Sequence, residues 1–208
     1  MHSPKQKPKI GNRELTVMMA AIIALNALAI DAMLPAFPRM VNGLGLSDPN
    51  DVQYVIVIYL LANGIGSLFH GPLSDRFGRR PILIGAIVGY ILSAFACRFA
   101  TSFDMLMATR IAQGLCGAAL SVLVTSIIRD QFEGDAMAKR MSTIFLIFMA
   151  VPIIAPLVGS AILVFAGWRS IFDMMAFLAI AMLIWVGLRL PETLHPDAAT
   201  PIQFGALT

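Results

Sequence analysis

Charge is the scarcest commodity in this chain. Lys, Arg, Asp and Glu together make up 13% of 208 residues, against roughly 25% in soluble domains. So few ionisable groups cannot coat a water-facing surface, and an ordinary soluble domain is excluded. Cysteine is equally thin. Cys97 and Cys116 stand in separate apolar runs, which gives neither a disulfide framework nor a zinc spacing. No Asn-x-Ser/Thr acceptor occurs, which is compatible with a bacterial inner membrane. Gly-x-Ser-x-Gly, His-Glu-x-x-His and paired intramembrane aspartates are also missing, so the sequence does not read as an enzyme. No cofactor is implied, and nothing points to a nucleic-acid partner.

What is present is apolar. Hydrophobic residues reach 58%, and the mean hydropathy is +0.81. Six apolar runs cover 15–37, 53–69, 81–97, 105–128, 141–166 and 171–188. Each is long enough to cross about 30 Å of hydrocarbon as a helix, a form that satisfies its own backbone hydrogen bonds in lipid. The expected organisation is a basic arm (1–14), a six-helix membrane bundle (15–190) and a short tail (191–208). Pro81 stands at a helix start, where no amide proton is needed. Trp168 and Trp185 flank the last run, where amphipathic rings favour the membrane interface.

Loop charges give the orientation. One side receives Lys5, Lys7, Lys9, Arg13, Arg76, Arg79, Arg80, Arg129, Lys139, Arg140 and Arg189; the other receives Arg39, Arg98 and Arg169. Basic loops stay in the cytoplasm, so both termini are expected there.

Within the runs, two charges lie well away from the ends: Asp31 and Arg110. Counting residues puts Asp31 roughly 9 Å and Arg110 roughly 8 Å below the same outer boundary. A salt bridge or a shared aqueous cavity accounts for two opposite charges at one depth. Gln113, Gly114 and Gly117 follow Arg110 at helical spacing, and Asn26 and Asn63 offer further polar groups for a cavity or for interhelical contact. Asn63, Ser67 and Gly71 repeat every fourth residue, and Gly85 and Gly89 form a close-approach pair. Pro152, Pro156 and Gly159 give the fifth run a bending point.

Between the second and third runs stands Gly71-Pro72-Leu73-Ser74-Asp75-Arg76-Phe77-Gly78-Arg79-Arg80-Pro81. This loop resembles the G-x-L-a-D-R-x-G-R-R/K signature of the major facilitator superfamily. Arg110-Ile111-Ala112-Gln113-Gly114 resembles that family's fourth-helix R-x-x-Q-G motif. The stretch from Pro152 through Pro156 to Gly159 and Ser160 is similar to the fifth-helix motif of its antiporters, with Ser160 in place of the usual second glycine. Asp31 through Pro38, Gly167 through Phe172, and Leu190-Pro191-Glu192-Thr193-Leu194 resemble landmarks of the Bcr/CflA drug exporters.

The resemblance implies an all-α membrane bundle of two inverted three-helix repeats, half of a twelve-helix transporter. It also implies proton-driven export of small amphipathic compounds. Asp31 would carry the proton, Arg110 would tune it, and Gln113 and Asn26 would line the cavity. Gly71, Asp75, Arg76, Gly78, Arg79, Arg80 and Asp130 would form the gating loop and its charge network, with Pro152, Pro156 and Gly159 as a hinge. The expected partners are lipid, protons, a small-molecule cargo, and a second half or a homodimer mate. A metabolite such as a sugar or amino acid is an alternative cargo, and a half inactive alone is an alternative role.

Overall fold

The computed structural model describes residues 10–194. The lysines of the basic arm, and the tail beyond Leu194, lie outside the described residues. The described chain is all-helical: α1 (Asn12–Asp31), α2 (Phe37–Leu44), α3 (Tyr54–Phe77), α4 (Arg79–Arg98), α5 (Phe103–Gln131), α6 (Gly134–Phe165) and α7 (Arg169–Arg189). Two 3-10 turns, Leu34–Ala36 and Pro49–Gln53, complete it. Among the described residues, six spans are long and apolar enough to cross a membrane, the first being Asn12–Leu44.

That first span is broken. Pro35 and Pro38 lack amide protons, so the carbonyls of Asp31 and Leu34 lose their partners four residues on. The chain turns at Ala32 and Met33, tightens into the 3-10 turn and resumes as α2, which ends at Gly45 with φ +63°.

The principal packing pairs are α3 with α5, α1 with α6, α4 with α5, α1 with α7, α4 with α7 and α1 with α5. Exchanging the first and fourth spans, the second and fifth, and the third and sixth maps this set onto itself. The bundle is therefore two three-helix repeats in inverted orientation, since spans one and four run in opposite directions. Glycines allow backbone contact in two equivalent interfaces. A side chain at Gly114 would strike the Tyr59 carbonyl, joining α5 to α3; one at Gly159 would strike the Ala32 carbonyl, joining α6 to the break after α1. Pro152 and Pro156 lie inside α6, which continues as a helix through both.

The structure differs from the sequence reading in two places. The loop at 71–80 is mostly helix: α3 runs through Pro72 to Phe77, and Gly78 alone separates it from α4. Trp168, expected to present its ring at the membrane interface, does not present it on the surface of the bundle. It is buried against Phe172, and a side chain at Gly43 would come within 2.8 Å of its indole nitrogen.

Glu14, at the start of α1, pairs with Arg189, at the end of α7, over 2.8 Å. The bundle thus begins and ends on one face, as an even number of crossings requires. On the opposite face all three arginines are held in structure. Arg39 donates to the Leu163 and Ala166 carbonyls at 2.5 and 3.3 Å, capping α6. Arg169 donates to Ala100 at 2.9 Å, and Arg98 pairs with Asp173.

Cysteines introduced at the exposed positions Asn42 and Thr101 should therefore be labelled by an impermeant thiol reagent from one face of a sealed membrane. A cysteine at Asp135 should be labelled only from the other. Labelling of Asn42 and Asp135 from the same side would remove the alternating six-span arrangement.

Candidate functional site

Arg110 is the largest side chain with no solvent exposure. Its guanidinium has no carboxylate partner among the described residues. Nε donates to the Val55 carbonyl at 3.0 Å, Nη1 to Gln113 Oε1 at 2.7 Å and Nη2 to the Ala29 carbonyl at 2.9 Å. The Tyr59 ring lies 4.3 Å from its central carbon, a geometry in which the ring face attracts a cation.

The bond to Ala29 fills a specific vacancy. In an unbroken helix the Met33 amide would donate to Ala29, but here it turns back to Ile30 at 3.3 Å. Arg110 supplies the missing donor, and a cation at a helix C-terminus also opposes the negative end of the macrodipole. Asp31 is the last residue of that same helix.

Of the two arrangements open to Asp31 and Arg110, a salt bridge or a shared aqueous cavity, the salt bridge is not formed. Ala29 and Asp31 are two residues apart, so their side chains point about 200° apart around the axis. Arg110 reaches α1 from inside the bundle. Asp31 lies on α1's open stripe, with Val17, Ala21, Ala24 and Leu28, and is half-buried. Its carboxylate has no hydrogen-bond or ion-pair partner among the described residues. Asp31 and Arg110 share a helix end, not a bond.

Gln113 is also enclosed, with its amide beside Cys97 Sγ at 3.8 Å and Met175 Sδ at 4.0 Å. In this chain Gln113 and Arg110 lie inside the bundle and do not line its open face. Asn26 is the centre of a second polar cluster. Its Nδ2 donates to Ser121 Oγ at 2.7 Å and to the Gly117 carbonyl at 3.4 Å. Its Oδ1 accepts from Asn63 Nδ2 at 3.1 Å and from the Tyr59 hydroxyl. Tyr59 and Ser121 escaped the sequence reading, although each extends a visible stripe. Tyr59 stands one turn before Asn63 and Ser67, and Ser121 one turn after Gln113 and Gly117.

At the arginine-rich end, Arg79 and not Asp75 is the hub. Arg79 binds Asp75 Oδ1 at 2.5 Å, Asp130 Oδ2 at 3.0 Å and Ser74 Oγ at 2.6 Å. Its side chain is 10% exposed, whereas Asp75 is 42% exposed. Arg76 stacks on Phe77 and takes no part, and Gly71 only accepts from Ser74 within α3. Arg80 donates to the Gly187 carbonyl of α7 at 2.6 Å.

Glu192, beyond α7, completes the cluster. Its carboxylate accepts from the Arg79 and Arg80 amides at 2.9 and 3.2 Å, and from its own neighbours Thr193 and Leu194. An anion there satisfies amides that α4 leaves without partners. Gly78 has φ +96°, and a side chain on it would meet Glu192 at 2.7 Å. The glycine is needed both for its backbone angle and for the carboxylate's approach.

A family model described as the Major Facilitator Superfamily matches residues 19–206. The chain is 33% identical over 207 residues to the uncharacterized MFS-type transporter YdgK of Bacillus subtilis, covering 99% of this chain and 50% of that protein. It is 35% identical over 184 residues to the bicyclomycin resistance protein homolog of Haemophilus influenzae, covering 88% and 46%. The chain thus spans about half the length of the curated relatives it matches. Its fold is shared with the crystal structure of the human organic anion transporter MFSD10, with TM-score 0.72 and 22% identity over 96% of this chain and 52% of that one.

Replacing Glu192 by Ala should speed amide exchange at Arg79 and Arg80 and lower the melting temperature of the purified chain, with a loss of about 1 kcal/mol typical of a missing helix cap. Glu192→Gln, which keeps the acceptor oxygen but not the charge, should fall between. Equal exchange at these amides in all three proteins would show that the carboxylate does not hold the α4 terminus.

Proposed function

Because this chain belongs to the major facilitator superfamily, a family of transporters, we propose that it forms one half of a proton-coupled exporter of small amphipathic compounds. The observation that carries this reading is the state of Asp31. It is a carboxylate within a membrane span, half-buried on the open face of the bundle, with no cation partner among the described residues. A charged carboxylate at such depth is expensive unless water reaches it, so changes in the wetting of the open face drive it between its charged and neutral forms. Arg110 caps the same helix end from the dry side, so a change of charge on Asp31 is felt where Arg110 is bound.

The cargo class rests on the bicyclomycin-resistance relative and on the open stripe of apolar positions around Asp31, with the half-buried Asn63 and Ser121 as further polar groups. Such a face suits compounds with both apolar bulk and hydrogen-bonding groups. Alternating access needs two bundles rocking about a site between them, and this chain supplies one. A second six-helix half is the partner that completes it. The arginine-rich end, where Arg79 ties Asp75 to Asp130, is the cytoplasmic gate of a bacterial inner-membrane protein. Pro152, Pro156 and Gly159 let α6 flex against the break in the first span.

The test is Asp31→Asn in the transport-competent assembly, using bicyclomycin uptake into everted vesicles driven by an imposed proton gradient. Proton-driven accumulation should be lost, while expression and membrane insertion remain near those of the parent, because a neutral amide removes a desolvation burden. Accumulation against a gradient equal to the parent's would rule out Asp31 as the proton carrier.

A further inference from the structure

Tyr59 belongs to neither the signature loop nor the charged pair, yet it touches both interior polar systems. Its ring carries the Arg110 guanidinium at 4.3 Å, and its hydroxyl donates to Asn26 Oδ1. Tyr59 has no solvent exposure, so bulk water does not reach this hydroxyl. The Asn26 amide is saturated. It has two donor hydrogens and two acceptor sites, and these are taken by Ser121, Gly117, Tyr59 and Asn63.

Two of those neighbours, Asn63 and Ser121, are only half-buried. Each keeps hydrogen-bonding capacity beyond its bond to Asn26, so a hydroxyl or carbonyl can bond to either one and shift it against Asn26. A saturated amide cannot give up one partner without rearranging the others. On the far side, Gly117 leaves room for the whole cluster. A side chain there would come within 2.6 Å of the Tyr59 hydroxyl, 3.2 Å of Asn63 Nδ2 and 3.4 Å of Asn26 Oδ1.

We infer that Tyr59 is a positioning residue that ties the hydrogen bonding of Asn26 to the seat of Arg110, and through Arg110 to the terminal turn of α1 beside Asp31. The chain of contacts is continuous: Asn26 to the Tyr59 hydroxyl, the Tyr59 ring to the guanidinium, the guanidinium to the Ala29 carbonyl. The use of this linkage rests on the export reading above. The linkage itself is a property of the chain and is tested without transport.

The experiment is a double-mutant cycle read by amide hydrogen exchange on the purified 208-residue chain in lipid nanodiscs. The probes are the amides of Ala32 and Met33, which close the turn that Arg110 caps. Asn26→Ala should speed their exchange by roughly tenfold. Tyr59→Phe, which keeps the ring and loses the hydroxyl, should do the same. The double variant should add little to either single change, because both cut one path. Gly117→Ala reaches the hydroxyl from the α5 side and should reproduce the effect of Tyr59→Phe.

Additive effects of Asn26→Ala and Tyr59→Phe would overturn the inference, as expected if each merely loosens packing. So would exchange in Tyr59→Phe equal to the parent's. Bicyclomycin export by the assembled transporter separates the two readings. A non-additive cycle in a protein that exports nothing keeps the linkage and removes the exporter; an additive cycle in a proton-driven exporter does the reverse.

Discussion

A fully buried guanidinium with no counter-ion among the described residues is the constraint around which the rest of the interior is arranged. A charge so enclosed must be surrounded by oriented dipoles or lose its place. Arg110 finds them on three different spans: the Ala29 carbonyl of the first, the Val55 carbonyl and Tyr59 ring of the second, and Gln113 of its own. This demand explains why the first span breaks where it does. At the break the Met33 amide turns from Ala29 to Ile30, and the arginine takes the carbonyl left open. Helix break and buried cation are complementary defects, and each would be unfavourable alone.

The same logic governs the two ends of the bundle. Where a helix ends inside packed protein, its last carbonyls or first amides need partners. At one end Arg39 supplies them for α6, and Arg169 holds the Ala100 carbonyl just past α4. At the other, Glu192 does so for the start of α4. Arginines occupied in this way are committed to the fold.

Much of this was legible in the sequence. Six spans, their alternation and the family signature follow from composition, run length and loop charge, all of which depend on position along the chain. That Asp31 and Arg110 stand at one level of the bundle was equally readable, because rise per residue is fixed. Their azimuth was not. Whether two residues at one depth meet depends on rotation about the helix axis, and Ala29 rather than Asp31 points inward. Tyr59 was hidden for a related reason: a tyrosine in an apolar run is ordinary until its partner on another helix is known. Glu192 was visible only as a landmark after a proline, since nothing local says that residues 79 and 80 will lie beside it. The loop at 71–80 misled because Gly and Pro there suggested an irregular segment, whereas Pro72 is accommodated within α3.

The junction at Gly78 has a mechanical side. With one residue between α3 and α4, the two helices share a joint without slack, and a pair of backbone angles sets the angle between them. The 24 residues of α3 make a lever of about 36 Å. A turn of about 10° at Gly78 would therefore sweep the far end of α3 by about 6 Å, given the same helix rise. The carboxylate of Glu192 sits against that joint like a wedge in a hinge. The chain just past α7 therefore holds the joint between α3 and α4 through a single carboxylate.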